Sequence, residues 1–98
     1  MPEFSNAFSG VNLDRKVTPT ELLRAIRFSI AAEYEAIQLY NQLAESTDNE
    51  LAKKVLTDIA NEEKEHVGEF LKLLHELSPE EFEFYEHGKK EVEDMMRE

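Results

Sequence analysis

The chain has 98 residues and no Cys, with 11 Lys and Arg against 22 Asp and Glu, a formal net charge of −11. This length supports one small domain, and the acidic balance excludes the basic patches of a nucleic-acid or anionic-membrane binder while favouring cations as ligands. Without Cys there is no disulfide framework, thiolate metal site or cysteine nucleophile.

Residues 1–17 show no sustained periodicity and are expected to form an N-terminal arm ahead of a domain over 18–98. They also lack the basic-then-apolar order of a signal peptide. No apolar run approaches the roughly 20 residues that span a bilayer, so an intracellular chain is expected. Thr18-Pro19-Thr20-Glu21 reads as a helix start: a capping Thr, Pro at the first helical position and Glu three residues on. A helix is predicted over 19–45, with no internal Gly or Pro. Ser46-Thr47-Asp48-Asn49 breaks it. Thr47 with Glu50 repeats the capping-box spacing, Asp48 competes as the cap, and a second helix is predicted over 48–77 with Gly68 its only weak residue. Ser78-Pro79-Glu80-Glu81 opens a third, shorter helix over 79–87, which Gly88 ends or kinks, and 89–98 resumes as a helical tail. No segment alternates as a strand would. The fold class is therefore all-α, and the short connection between the long helices makes them an antiparallel hairpin.

That hairpin carries more apolar surface than it can hide. The first helix has a stripe of Leu22, Ile26, Ile30, Ile37, Tyr40 and Ala44 and another of Leu23, Phe28, Ala32, Leu39 and Leu43. The second has Val55, Ile59, Phe70, Leu74 and Leu77, flanked by Leu51, Leu56, Val67, Leu71 and Leu73. Two helices share one seam only, so a homodimer forming a four-helix bundle is expected.

Ionisable residues interrupt these stripes. Glu33 lies mid-helix on the apolar side of the first, and Glu63 and His66 occupy the same kind of position on the second. A buried carboxylate costs several kcal/mol unless paired or bound to a cation. With 18 Glu in the chain, a Glu three residues before a His is weak evidence alone, and a His on an apolar face is commonly a hydrogen-bonded core residue. The combination is more specific. Dinuclear carboxylate bundles take one Glu from each of two helices and Glu-x-x-His from each of the other two, and this chain holds one copy of each half. Carboxylate oxygens with an imidazole suit iron, manganese or zinc, and the lack of Cys excludes iron–sulfur chemistry. Tyr40, two turns after Glu33, is either a partner to that centre or an aromatic core filler. Tyr34 and Glu35 point away from the face of Glu33. His75 and His87 have no ligand constellation and read as surface residues, and Phe82, Phe84 and Tyr85 as an apolar face docking on the hairpin or a neighbouring subunit.

The runs Ala32-Glu33-Tyr34-Glu35-Ala36-Ile37-Gln38-Leu39-Tyr40-Asn41-Gln42 and Asn61-Glu62-Glu63-Lys64-Glu65-His66, within a likeness spanning 18–85, resemble the encapsulated ferritins, a ferritin-like branch with about half the usual chain. The resemblance implies that Glu33, Glu63 and His66 are iron ligands given by both chains of a dimer, two ions per dimer, with Mn, Zn or Ca as substitutes. It matches Tyr40 to the tyrosine beside that centre, and Glu35 to part of an outer metal site. Some members have an acidic residue where Ala32 stands and Trp where Leu39 stands, so this chain resembles the subgroup that has Ala and Leu there. The family assembles as rings of dimers, commonly decamers, oxidises Fe(II) without storing the mineral itself, and sits in the cytoplasm inside an encapsulin shell. Many members carry a Gly-Ser-Leu-Arg-like docking tail. This chain ends in Asp94-Met95-Met96-Arg97-Glu98, which leaves open a shortened chain, a domain fused to the shell protein, or an unencapsulated member.

The function expected from all of this is a ferroxidase delivering iron for storage. Two alternatives stand beside it: a rubrerythrin-like protein that reduces peroxide, and a non-enzymatic helical oligomerisation or adaptor module whose Glu and His pair only with each other.

Overall fold

A computed structural model describes residues 14–98, and most of the arm expected over 1–17 lies outside these. The described residues form three helices and no strand: α1 (Pro19–Glu45), α2 (Glu50–Leu77) and α3 (Pro79–Met96). The all-α hairpin with a third, shorter helix is the fold class that the pattern of caps and periodicity implies.

α1 starts on a full capping box. The Thr18 hydroxyl accepts from the Glu21 amide at 3.1 Å, and the Glu21 carboxylate accepts from the Thr18 amide at 2.8 Å. Arg15 reinforces it by donating to both Glu21 oxygens at 2.7 Å, and this bond, followed by the Thr18 amide, pulls the Glu21 carboxyl down to about 2.

The start of α2 differs from expectation. Asn49, rather than Thr47 or Asp48, is the cap, accepting from the Ala52 amide at 2.9 Å. Thr47 serves that cap instead: its hydroxyl accepts from the Asn49 amide at 3.2 Å and fixes the turn. The helix consequently begins at Glu50, not at 48.

α3 also differs. It runs through Gly88 without a break, so the expected short helix and tail are one element. A Gly in a helix costs about 1 kcal/mol relative to Ala. Here the neighbouring turns offset it with same-helix pairs: His87–Glu91 at 3.2 Å, Lys89–Glu86 at 2.9 Å and Lys90–Asp94 at 3.4 Å.

The core lies along the α1–α2 seam. Ile26, Ile30 and Ile37 pack with Val67 and Leu74, flanked by Leu23, Phe70, Leu71 and Phe82, and Ala60 is fully buried on the same side of α2. The buried line of α2 is thus 60, 67 and 74: of the stripe expected through 55, 59, 70, 74 and 77 only Leu74 is among the buried residues, and Val67 moves from its flank to the centre. Val55, Leu77, Leu51, Leu73, Leu39 and Leu43 remain exposed on the single chain, Leu51 at 71%. The radius of gyration is 17.3 Å, against about 13 Å for a compact domain near this size.

Candidate metal centre

Glu33 and Glu63 lie about equally far from the 46–49 connection, so antiparallel packing sets them opposite one another at the middle of both helices. His66 follows Glu63 by three residues, one turn along the same side. One donor atom from each of Glu33, Glu63 and His66 falls within 4.8 Å of the others, and no second such group of His, Asp and Glu occurs among the described residues. The His66 Nδ1 stands 3.4 Å from Glu33 Oε2 and 3.6 Å from Glu63 Oε2.

Burial makes the arrangement tense. The Glu33 and Glu63 side chains are 21% and 17% exposed, and Glu33 Oε2 is itself buried with no hydrogen-bond partner. Ile30 and Ile37, one turn either side of Glu33, are buried, as is Val67 beside His66. Apolar walls lower the local dielectric, so two carboxylates there repel each other and attract a cation more strongly than they would in water. An orphaned carboxylate oxygen, a second carboxylate and an imidazole nitrogen pointed at one spot fit a hard or borderline divalent cation.

The structure brings together three of the five residues singled out from sequence. Tyr40 is half-buried on the same side of α1, but two turns and about 10 Å of helical rise beyond Glu33, so it stands beside the trio rather than in it. Glu35 is exposed, about 200° around the helix from Glu33, near half-buried Ala32 and exposed Leu39. One expectation is corrected: His66, placed by its spacing on a buried face, has a side chain 48% exposed. The rotated seam through 60, 67 and 74 leaves it at the open edge of the hairpin. Pattern reasoning had no signal for that rotation, because 55-59-63-66-70 and 60-63-67-70-74 are both good helical stripes.

The three donors of one chain match half of the ligand set of a dinuclear carboxylate bundle, which takes two further Glu and a further His.

Residues 24–97 match the Rubrerythrin family. The ferritin-like–encapsulin shell fusion protein of Pyrococcus furiosus is 42% identical over 85 residues, covering 87% of this chain and 25% of its own length. The encapsulin nanocompartment cargo protein EncC of Myxococcus xanthus is 43% identical over 93 residues, covering 95% of this chain and 68% of that one. The chain thus spans a quarter of the first relative and about two thirds of the second. The crystal structure of the encapsulated ferritin domain from Pyrococcus furiosus superposes with a TM-score of 0.83 at 40% identity, over 92% of both chains.

Proposed function

The chain belongs to the rubrerythrin family, in its encapsulated-ferritin branch of di-iron domains, and from that premise we propose that it is a ferroxidase whose site is completed by a second copy of the chain. The observation that carries this is the buried, unpartnered Glu33 Oε2 facing Glu63 and His66. Two hairpins meeting at their open His66 edges supply two Glu33, two Glu63 and two His66, the full dinuclear complement. The exposed apolar residues of α1 and α2, Leu39, Leu43, Leu51 and Val55 among them, give the dimer its driving force at about 25 cal/mol per Å² of apolar area buried.

Each side chain has a distinct task. Glu33 and Glu63 hold Fe(II) through anionic oxygens, which stabilise the ferric charge more than the ferrous and so favour oxidation. His66 supplies a neutral nitrogen and keeps the site from accumulating excess negative charge. The surrounding Ile30, Ile37 and Val67 limit water. Two Fe(II) substrate ions each give one electron, and dioxygen takes both electrons with two protons to leave as peroxide. The net charge of −11 raises the local concentration of incoming cations. Tyr40 is read as a hydrogen-bonding or redox neighbour of the pair, and Glu35 as the remnant of an outer site on the ion's approach.

The names of the relatives support association with an encapsulin shell; on this reading the chain delivers Fe(III) into such a shell in the cytoplasm, as dimers joined into a ring. No helix among the described residues is long and apolar enough to cross a membrane.

Anaerobic Fe(II) titration followed by oxygen tests the reading. Rapid ferric absorbance at one iron per chain is expected, and Glu33→Ala, Glu63→Ala and His66→Ala should each remove the fast phase with helicity intact. Three variants that oxidise iron like the parent would defeat the assignment. The family match also favours a second reading, peroxide reduction. Peroxide outrunning oxygen as the oxidant in the same assay would select it.

A further inference from the structure

α3 is attached to the rest of the chain in an unusual way. None of its residues is buried, and from Glu83 onward every residue is exposed. What holds it lies entirely within its first two turns. At the elbow, Ser78 is at once the end of α2 and the start of α3. It is buried, its amide donates to the Leu74 carbonyl at 2.8 Å, and its side chain makes no capping bond to α3. Pro79 follows and has no amide hydrogen to give. The elbow itself adds the Glu81 amide donating to the Ser78 carbonyl at 3.1 Å, and Phe82, packed against the α1–α2 core, anchors the base of α3 as a pivot.

Direction comes instead from a polar cluster reaching back to α1. Arg27 donates from Nε to Glu81 Oε2 at 3.2 Å and from Nη2 to Glu81 Oε1, a two-pronged pair spanning 54 residues of sequence. The Tyr85 hydroxyl donates to the same Glu81 carboxylate. Glu81 is the sheltered member, its side chain 15% exposed against 45% for Arg27. At the next residue, the Phe82 ring stacks on His75 of α2 at 4.5 Å and takes the Tyr85 ring edge-on at 4.7 Å. The cluster holds the Glu81 carboxyl below the usual carboxylate range, through Arg27 first, and raises the Tyr85 phenol, through Glu81 first. Both shifts fit a charged Glu81 as its keystone.

We infer that α3 is a latched arm: Arg27, Glu81 and Tyr85 set its angle to the hairpin, and releasing that latch lets it swing about Ser78 without disturbing the α1–α2 seam. A bidentate Arg–carboxylate pair in partial shelter holds geometry better than a solvated one, yet remains exchangeable. The lever is long. With a rise of 1.5 Å per residue, a swing of about 20° around Ser78 moves the far end of α3 by about 9 Å. That motion redirects Phe84, Val92 and Met95, which share one side of α3 at helical spacing and are all exposed. The latch thus decides which way this apolar side faces, while Glu33, Glu63 and His66 stay in place on other helices.

The absence of Cys makes the test clean. Cysteines introduced at Arg24 and Glu93 are spin-labelled in a tagged chain, co-expressed with an excess of the Cys-free chain so that intrachain pairs dominate. Pulsed dipolar spectroscopy should give one narrow distance distribution for the parent. Arg27→Ala and Glu81→Gln should broaden it or add a second distance, with unchanged helicity and unchanged iron-oxidation fast phase. The exchanged pair Arg27→Glu with Glu81→Arg should narrow it again. Should Arg27→Ala fail to fold, the isosteric Glu81→Gln carries the test alone. Distributions as narrow in both single variants as in the parent would overturn the inference, and so would broadening that the exchanged pair does not reverse.

Discussion

Glu33 sits where an apolar residue would hold the hairpin more firmly, and that tension gives a test separate from activity. Its Oε2 is buried without a hydrogen-bond partner, the nearest polar neighbour being His66 Nδ1 at 3.4 Å, so in the metal-free protein it contributes a desolvation cost that no hydrogen bond offsets. Glu33→Leu should raise metal-free stability by about 1 kcal/mol, discounted for its partial exposure, in urea unfolding at matched protein concentration, while abolishing iron binding. A loss of stability would mean that Glu33 is already paired without metal. Tyr40→Phe is the milder probe: slower oxidation with intact iron binding is expected if the phenol serves the site. The Glu33, Glu63 and His66 trio was legible in the sequence because charge on an apolar stripe is costly and each member broke a stripe at mid-helix. The exposure of His66 was not legible. It depends on which of two overlapping stripes forms the seam, and side-chain packing between helices, notably at fully buried Ala60, makes that choice.

The helices follow from their ends. Thr18, Pro19 and Glu21 act as their spacing implies, and Arg15 adds a clamp from outside the motif. Glu21 is held at about 2 against an ordinary 4.5, and a depressed carboxylate stabilises the fold above its unfolded value and loses that contribution as pH falls through its folded one. The Glu21 contribution to the start of α1 should therefore be full above about pH 4.5 and fall away progressively toward about pH 2. Carboxyl-carbon NMR should show Glu21 titrating near that value, and an ordinary midpoint would dismiss the Arg15 clamp. The other helix boundaries were harder to read. At 46–49 four residues in succession are capable of capping, and Asn49 prevails because Thr47 braces it. Through Gly88, same-helix side-chain pairs that span it, Lys89 with Glu86 among them, carry α3 past a residue that composition alone marks as a stop. The Arg27–Glu81 link had no local signature at all, since its partners are 54 residues apart.

For the molecule as a whole, the proposed shared site and the exposed apolar residues of the hairpin predict a second copy. If ligands from both chains bind iron together, association should be tight and should tighten with iron. Sedimentation of the metal-free protein at micromolar concentration should show no monomer, and a monomer that iron does not shift would sink the shared site. On the proposed reading, dimers joined in an open ring would enclose no cavity for a mineral. Aerobic loading with tens of Fe(II) per chain should accordingly yield aggregated ferric product, relieved when a shell protein is co-expressed, and soluble assemblies retaining hundreds of irons would point to storage in the protein itself. The most direct test of the shared dinuclear site is low-temperature Mössbauer spectroscopy of the assembled protein, loaded anaerobically with one isotopically enriched Fe(II) per chain and then exposed to oxygen. Two ferric ions bridged between two chains give a spin-coupled quadrupole doublet, the expected result. A magnetically split spectrum from isolated ferric ions would contradict it.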